Sequence, residues 1–329
     1  MNDKRVVEDI VTKFLLNTCR LRPRLTEPAV LAATVCALAV DAHPEVDCIP
    51  LTTGSVAEFY IEPMLPHVAD IDVMYHFSTQ LAIPRGHPPP TQLLAAFHNY
   101  VKVHEIIESQ FPGYVYLALR YLLTECIDEG RYNAVQCDRQ WYCRFASDAS
   151  DARYRGPAYL NNLPQLPCDT VHCVHCLVWP LQAADWPTRH RNYGWPDSAT
   201  VDRVVSNGCD VVQVAHRQCK RDKWMFRLSF SRAEIVLINS WMPVQQIVYH
   251  MLRVFMKTEL LTKSADNSGA GKLSNYHIKT LMLWACELKS RNWWTDYLDL
   301  VRICVQLLYI LGDWLTDARC QHYLSTTVI

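Results

Sequence analysis

The sequence predicts an α+β protein of two lobes, a mixed sheet lobe over residues 1–230 and an all-helical lobe over 231–329. Three observations carry that prediction. Val6, Val7, Ile10, Val11, Phe14 and Leu15 recur at helical spacing at the N-terminus. Segments such as Asp70-Ile-Asp-Val-Met-Tyr75 alternate polar and apolar residues, the signature of a strand. From Ser231 onward every apolar run has the period of a helix.

Taken in order, the first run reads as a long amphipathic helix. Pro44, Pro50 and Leu51-Thr-Thr-Gly-Ser55 then break the chain before the strand at Asp70. Residues 91–126 carry helix-like apolar spacing, while 141–145 and 169–178 read as strands. Pro196 with Asp197 or Ser198 as cap opens a short helix that Gly208 can close, and 210–215 and 224–230 return to strand. Ser231-x-x-Glu234 fits a capping box, and 232–240, 243–263, 274–289 and 296–311 each predict a helix.

Composition narrows the function classes. With 329 residues, half of them hydrophobic, the chain can bury a large core. A net charge of −1 gives no global pull toward nucleic acid, so any such partner must use a local patch. The 14 cysteines are too sparse for a stapled secreted domain and read as reduced thiols. Glu8 and Asp9 interrupt any signal-peptide core, and the apolar stretch 29–40 falls short of the roughly 20 residues that span a bilayer. Neither secretion nor membrane insertion is expected, and the expected location is cytoplasmic.

The chemistry concentrates between Asp41 and Pro84, where seven carboxylates stand without one Lys or Arg. Residues i and i+2 of a strand share a face, so Asp70 and Asp72 would present neighbouring carboxylates. A divalent ion with oxygen ligands, Mg²⁺ or Mn²⁺, relieves their repulsion and can bridge nucleotide phosphates. Gly54-Ser55 ahead of that strand offers close backbone approach and a hydroxyl for a phosphate oxygen. Two-metal phosphoryl transfer calls for a third carboxylate from a neighbouring strand, and Asp169 is the candidate.

These residues, with Cys168-Asp-Thr-Val171, Cys176-Leu-Val-Trp-Pro180, Arg227-Leu-Ser-Phe-Ser-Arg-Ala-Glu234 and Leu273-Ser-Asn-Tyr-His-Ile-Lys-Thr280, resemble the male-abnormal (Mab) nucleotidyltransferase family, and within it the cyclic GMP-AMP synthase-like receptors of animals. The resemblance runs from about residue 50 to about 315. It implies a bilobal fold in which a nucleotidyltransferase sheet and a helical lobe clamp the nucleotides, with the N-terminal helix as spine. It implies that Asp70, Asp72 and Asp169 hold the catalytic metals and that Gly54 and Ser55 meet the donor triphosphate. Arg227, Ser229, Ser231 and Glu234 would face bases and sugars, Tyr276 would stack on a base, and Ser274 and Asn275 would lie near phosphates. The family's phosphate-binding lysine falls to Arg253 or Lys257. The implied activity joins two NTPs, ATP and GTP or others, into a cyclic dinucleotide on binding an activating ligand, and the product would signal through a STING-type receptor in innate immunity.

Two departures shape the expected partners. The zinc-binding insertion of the DNA-sensing vertebrate member is missing, since residues 235–260 contain no cysteine. Cys173 and Cys176 would point to opposite faces of a strand, so no zinc is expected there. Basic residues gather at 217–232 (Arg217, Lys220, Arg221, Lys223, Arg227, Arg232) and at 4–24, and double-stranded RNA is the simplest partner for either patch. A catalytically silent scaffold and an unregulated enzyme making linear products are the alternatives.

Overall fold

The computed structural model describes residues 48–58, 71–126, 128, 130–145, 154–155, 158–163, 166–219, 222–262, 273–295 and 300–325. The expected N-terminal helix and Asp70 lie outside them. The strands are β1 (Cys48–Thr53), β2 (Ile71–Pro84), β3 (Tyr100–Glu108), β4 (Tyr114–Cys126), β5 (Arg131–Tyr142), β6 (Tyr154–Arg155), β7 (Ala158–Leu163), β8 (Leu166–Cys176), β9 (Cys209–Gln213) and β10 (Met225–Ser229). The helices are α1 (Gly54–Glu58), α2 (Ser198–Ser206), α3 (Ser231–Asn239), α4 (Pro243–Thr262), α5 (Asn275–Leu288), α6 (Arg291–Thr295) and α7 (Leu300–Thr316). This is the mixed sheet followed by helices that the sequence predicts.

The ten strands form one sheet in the order β1-β2-β3-β4-β10-β9-β8-β7-β6, with β5 on β4. A further pairing of β2 with β8 closes the path on itself. β2 can serve so many neighbours because its register shifts between His76 and Leu81. Its first half runs antiparallel to β1, its second half parallel to β3, and both halves run parallel to β8. Such irregularities bend a strand and re-aim its side chains. The segment 91–126, read as helical, is instead the antiparallel pair β3 and β4 turned at Gly113, whose φ is 79°. A register shift at Val103/His104 puts two buried residues in succession, so the period-2 signal of a strand is broken just where it would have been read.

The helices follow their caps with one exception. Asp197 accepts from the Thr200 N–H at 2.8 Å to start α2, and Gly208, with φ 63°, ends the turn after it. Ser274 starts α5 in a capping box with His277. The capping box expected at Ser231-x-x-Glu234 does not form, because Phe230 takes the cap position and Glu234 turns inward. One buried cluster runs from Ile106, Val115, Leu117, Val174, Val211 and Phe226 of the sheet into Leu237, Val248, Leu281, Trp294 and Leu307 of the helices. The core is therefore continuous across residue 230, and the helices are held against the sheet by apolar packing.

Candidate nucleotide and metal site

Thr53 and Asp72 are partners across β1 and β2, and Asp72 and Asp169 are partners across β2 and β8. Neighbouring strands stand about 4.8 Å apart and in-register parallel residues share a face, so the two carboxylates lie side by side. The Thr53 hydroxyl donates to the Asp72 carbonyl at 3.3 Å, bringing the end of β1 over Asp72. Gly54 follows with φ 65°, and a Cβ built on it would fall 1.9 Å from Asp72 Oδ2. The position admits only glycine, because backbone and carboxylate approach too closely for any side chain. The structure thus brings together Gly54, Asp72 and Asp169, with Ser55 next in α1. An oxygen-rich pair of neighbouring carboxylates beside this bare-backbone cradle fits a hard divalent cation.

Behind α1 lies a buried ionic cluster that the sequence reading missed. Lys279 of α5 is paired with Glu58 of α1 and, at 2.8 Å, with Glu234 of α3. Tyr249 of α4 bonds Glu58 at 3.4 Å. Burial pushes the Glu58 carboxyl up from its ordinary range, outweighing the nearby ammonium. For Glu234 burial also opposes ionisation, but Lys279 outweighs it and holds that carboxyl low. Lys279 is itself disfavoured by burial, yet Glu234 and Glu58 raise its pKa well above the usual value. One ammonium therefore ties three helices together through two carboxylates. The signal in the sequence was a lysine among the buried residues Ile278, Leu281 and Met282.

The remaining predicted contacts surround this cluster unevenly. Arg253 lies over the Tyr249 ring at 5.5 Å, and its buried Nε has no hydrogen-bond partner among the described residues. Lys257 shares the helix. Arg227 is exposed on β10, and the Ser229 and Ser231 hydroxyls lie 3.1 Å apart. Ser274 and Asn275 are exposed at the start of α5, where the Ser274 hydroxyl stands 2.8 Å from His277 Nδ1. Tyr276 bonds His322 at 2.6 Å.

A second buried cluster joins β2, β8 and β9. Asp210 Oδ1 lies 2.8 Å from His76 Nε2 and 2.9 Å from His175 Nδ1, and Arg232 Nε reaches both its oxygens at 3.1 Å. The three His and Asp ligand atoms lie within 4.8 Å of one another, a grouping of metal-ligand type. Arg232 already supplies the cation that Asp210 needs, so this residue, expected in a basic surface patch, is turned inward instead. Burial opposes the Asp210 charge, but the two histidines and Arg232 outweigh it and hold the carboxyl far below its ordinary range. Cys173 packs with Met74 and Val212, whereas Cys176 belongs to the main core, so the two thiols face different sides of β8.

Residues 158–240 match the Mab-21 protein nucleotidyltransferase domain, and residues 245–328 match the Mab-21 protein HhH/H2TH-like domain. Over these two segments the chain is similar to Mab-21 proteins and carries their two domains in that order. Asp169, Arg227 and Glu234 fall in the first matched segment; Arg253, Tyr276, Lys279 and His322 fall in the second. Among similar curated proteins are the mab-21-like protein of Aedes aegypti, 29% identical over 44% of this chain and 39% of its own length, and that of Anopheles gambiae, 27% identical over 44% and 39%. The mab-21-like protein of Drosophila melanogaster is 26% identical over 58% of this chain and 50% of its own. The aligned parts thus span about two fifths to one half of these relatives. No helix among the described residues is long and apolar enough to cross a membrane.

Proposed function

We propose that the protein is a metal-dependent nucleotidyltransferase that joins two NTPs into a cyclic dinucleotide when an activating ligand binds. The observation that carries this reading is the in-register pair Asp72 and Asp169, with Gly54 pressed against the Asp72 carboxylate. Asp72 and Asp169, with Asp70 completing the set, would hold Mg²⁺ or Mn²⁺. Bound there, the ions would neutralise phosphate charge and favour ionisation of the attacking hydroxyl.

The chain's own residues would do the rest by orientation. Gly54 and Ser55 would meet the donor triphosphate, Arg253 would clamp phosphate with its spare donor, and Arg227, Ser229, Ser231 and Tyr276 would hold the bases and sugars. An acceptor ribose hydroxyl would attack the donor α-phosphorus in line and expel pyrophosphate; a second round with the roles exchanged closes the ring. The activating ligand would be double-stranded RNA on the exposed basic surface that keeps Arg217 and Lys223, and the product would act on a STING-type receptor in innate immunity, with the enzyme in the cytoplasm.

Incubation of purified protein with labelled ATP, GTP, CTP and UTP, Mg²⁺ or Mn²⁺, and double-stranded RNA or DNA tests the proposal. A cyclic product that requires both metal and ligand is expected. Linear products made without ligand would overturn the regulated-synthase reading, and metal-independent product would overturn the role of the carboxylates.

A further inference from the structure

The C-terminal turn reaches toward the ionic cluster behind the nucleotide site through one side chain, and the direction of the hydrogen bonds at that side chain is forced. The backbone N–H groups of Leu324 and Ser325 both point at His322 Nδ1, at 3.0 and 3.1 Å. A backbone N–H can only donate, so Nδ1 holds the lone pair and the ring proton sits on Nε2. Nε2–H then donates to Tyr276 Oη at 2.6 Å. The Tyr276 ring in turn carries the Lys279 ammonium 5.8 Å from its centroid. Lys279 donates to Glu234 and reaches on to Glu58 in the helix that begins with Gly54 and Ser55. The chain of contacts runs from residue 325 to residue 58 and passes through α5, α3 and α1.

We propose that His322 is a positioning residue of the nucleotide site: by donating to Tyr276 from the C-terminal turn, it fixes where that ring stands. This rests on the reading of Tyr276 as the base-contacting aromatic. Among the described residues His322 is the hydrogen-bond partner of this half-buried phenol. Without that donor the ring is held by packing alone and its hydroxyl can swing, whereas the Nε2–H bond ties the hydroxyl to one point. The His322 ring also packs at 5.9 Å from Tyr276 and 5.4 Å from Phe230, which orients the donor. The charged groups acting on His322 are Glu234 and Arg227, both from elements predicted to line the same site.

Two measurements test the proposal. Imidazole ¹⁵N spectra of the histidine-labelled full chain, assigned by difference with His322→Asn, should show His322 as the neutral Nε2–H tautomer, and Tyr276→Phe should shift its Nε2 signal. A protonated Nδ1, or an Nε2 signal indifferent to Tyr276→Phe, overturns the proposal. Nucleotide affinity, read with a fluorescent NTP and Mg²⁺, supplies the second measurement. In His322→Asn the amide takes the place of Nδ1, keeping an acceptor for the turn and losing the donor to Tyr276. In His322→Gln the amide nitrogen takes the place of Nε2 and keeps that donor. His322→Asn should weaken binding about tenfold, the worth of one well-made buried hydrogen bond, and His322→Gln should recover most of it. The His322→Asn effect should also vanish in a Tyr276→Phe background. Wild-type affinity in His322→Asn, or losses that simply add, contradict the positioning role. A wild type that binds no nucleotide while the ¹⁵N link persists defeats the reading of Tyr276 instead.

Discussion

Replacing Lys279 with Met removes the ammonium shared by Glu58 and Glu234 and keeps most of the side-chain volume. The side chains are 14%, 4% and 7% exposed for Lys279, Glu58 and Glu234, so water can do little to take over the screening. Breaking a buried ion pair from one side costs about 3–5 kcal/mol. Set against about 5–15 kcal/mol for a whole domain, that is a large share of the fold's stability. The pH dependence has a definite sign. Burial raises the Glu58 pKa and so does neighbouring Glu234, while Lys279 lowers it. Without Lys279 the largest lowering influence on each carboxyl is gone and burial outweighs the smaller ones of Arg253 and His322, so both folded-state values move above the unfolded one near 4.5. The folded variant then holds protons that the unfolded chain releases, and stability is lost as pH rises through the raised values. Urea unfolding followed by tryptophan fluorescence at about pH 5 and about pH 8 should show the larger deficit at the higher pH, with m unchanged. Adding Glu58→Gln should recover at least half of the loss at pH 8. A deficit below about 1 kcal/mol at pH 8, or one larger at pH 5, would mean that Lys279 does not neutralise this buried pair.

Further outcomes follow from the same geometry. Asp72→Asn should remove a like-charge neighbour of Asp169, gaining about 0.2–1 kcal/mol, while abolishing the rise in Tm that Mg²⁺ with NTP gives the wild type; thermal scans with and without metal check both halves. Gly54→Ala should cost about 1–3 kcal/mol for its left-handed backbone alone and more for the contact with Asp72, with nucleotide turnover lost, as chemical unfolding and product assays would show. Asp210→Asn should cost about 3–5 kcal/mol by leaving Arg232 without its buried counter-charge. Because the folded-state pKa of Asp210 is depressed, the wild type holds this contribution above about pH 4 and loses it as pH falls further; the variant's acid-unfolding curve should be flatter there.

How much was legible in the sequence depended on whether a signal was local. The helices were readable because caps and periods are local: Asp197 with Thr200, Gly208, and the apolar rows of 243–262 and 275–288 announce themselves within a few residues. β3 and β4 were not, because a register shift spoils their alternation and both faces carry apolar residues. The pairing of Asp72 with Asp169 was half visible, since a third acid on a neighbouring strand was expected but its register is a property of the sheet. Glu234 looked like a cap and Arg232 like a surface charge, and each proved to be committed to a buried partner far away in sequence, Lys279 and Asp210. Lys279 stood inside the motif 273–280 with no role assigned to it and His322 carried no motif, because their roles exist only once α1, α3, α5 and the C-terminal turn are assembled.

On the proposed function, Asp72 and Asp169 together gather a divalent cation where a nucleotide can reach it. Titration of Mn²⁺ into the protein with ATP present, read by the loss of the free-ion electron paramagnetic resonance signal, tests it most directly in parallel with Asp169→Asn. Tight binding to the wild type that disappears in the variant is the predicted result. Equal Mn²⁺ uptake by the two proteins, beyond what ATP alone binds, would contradict the account.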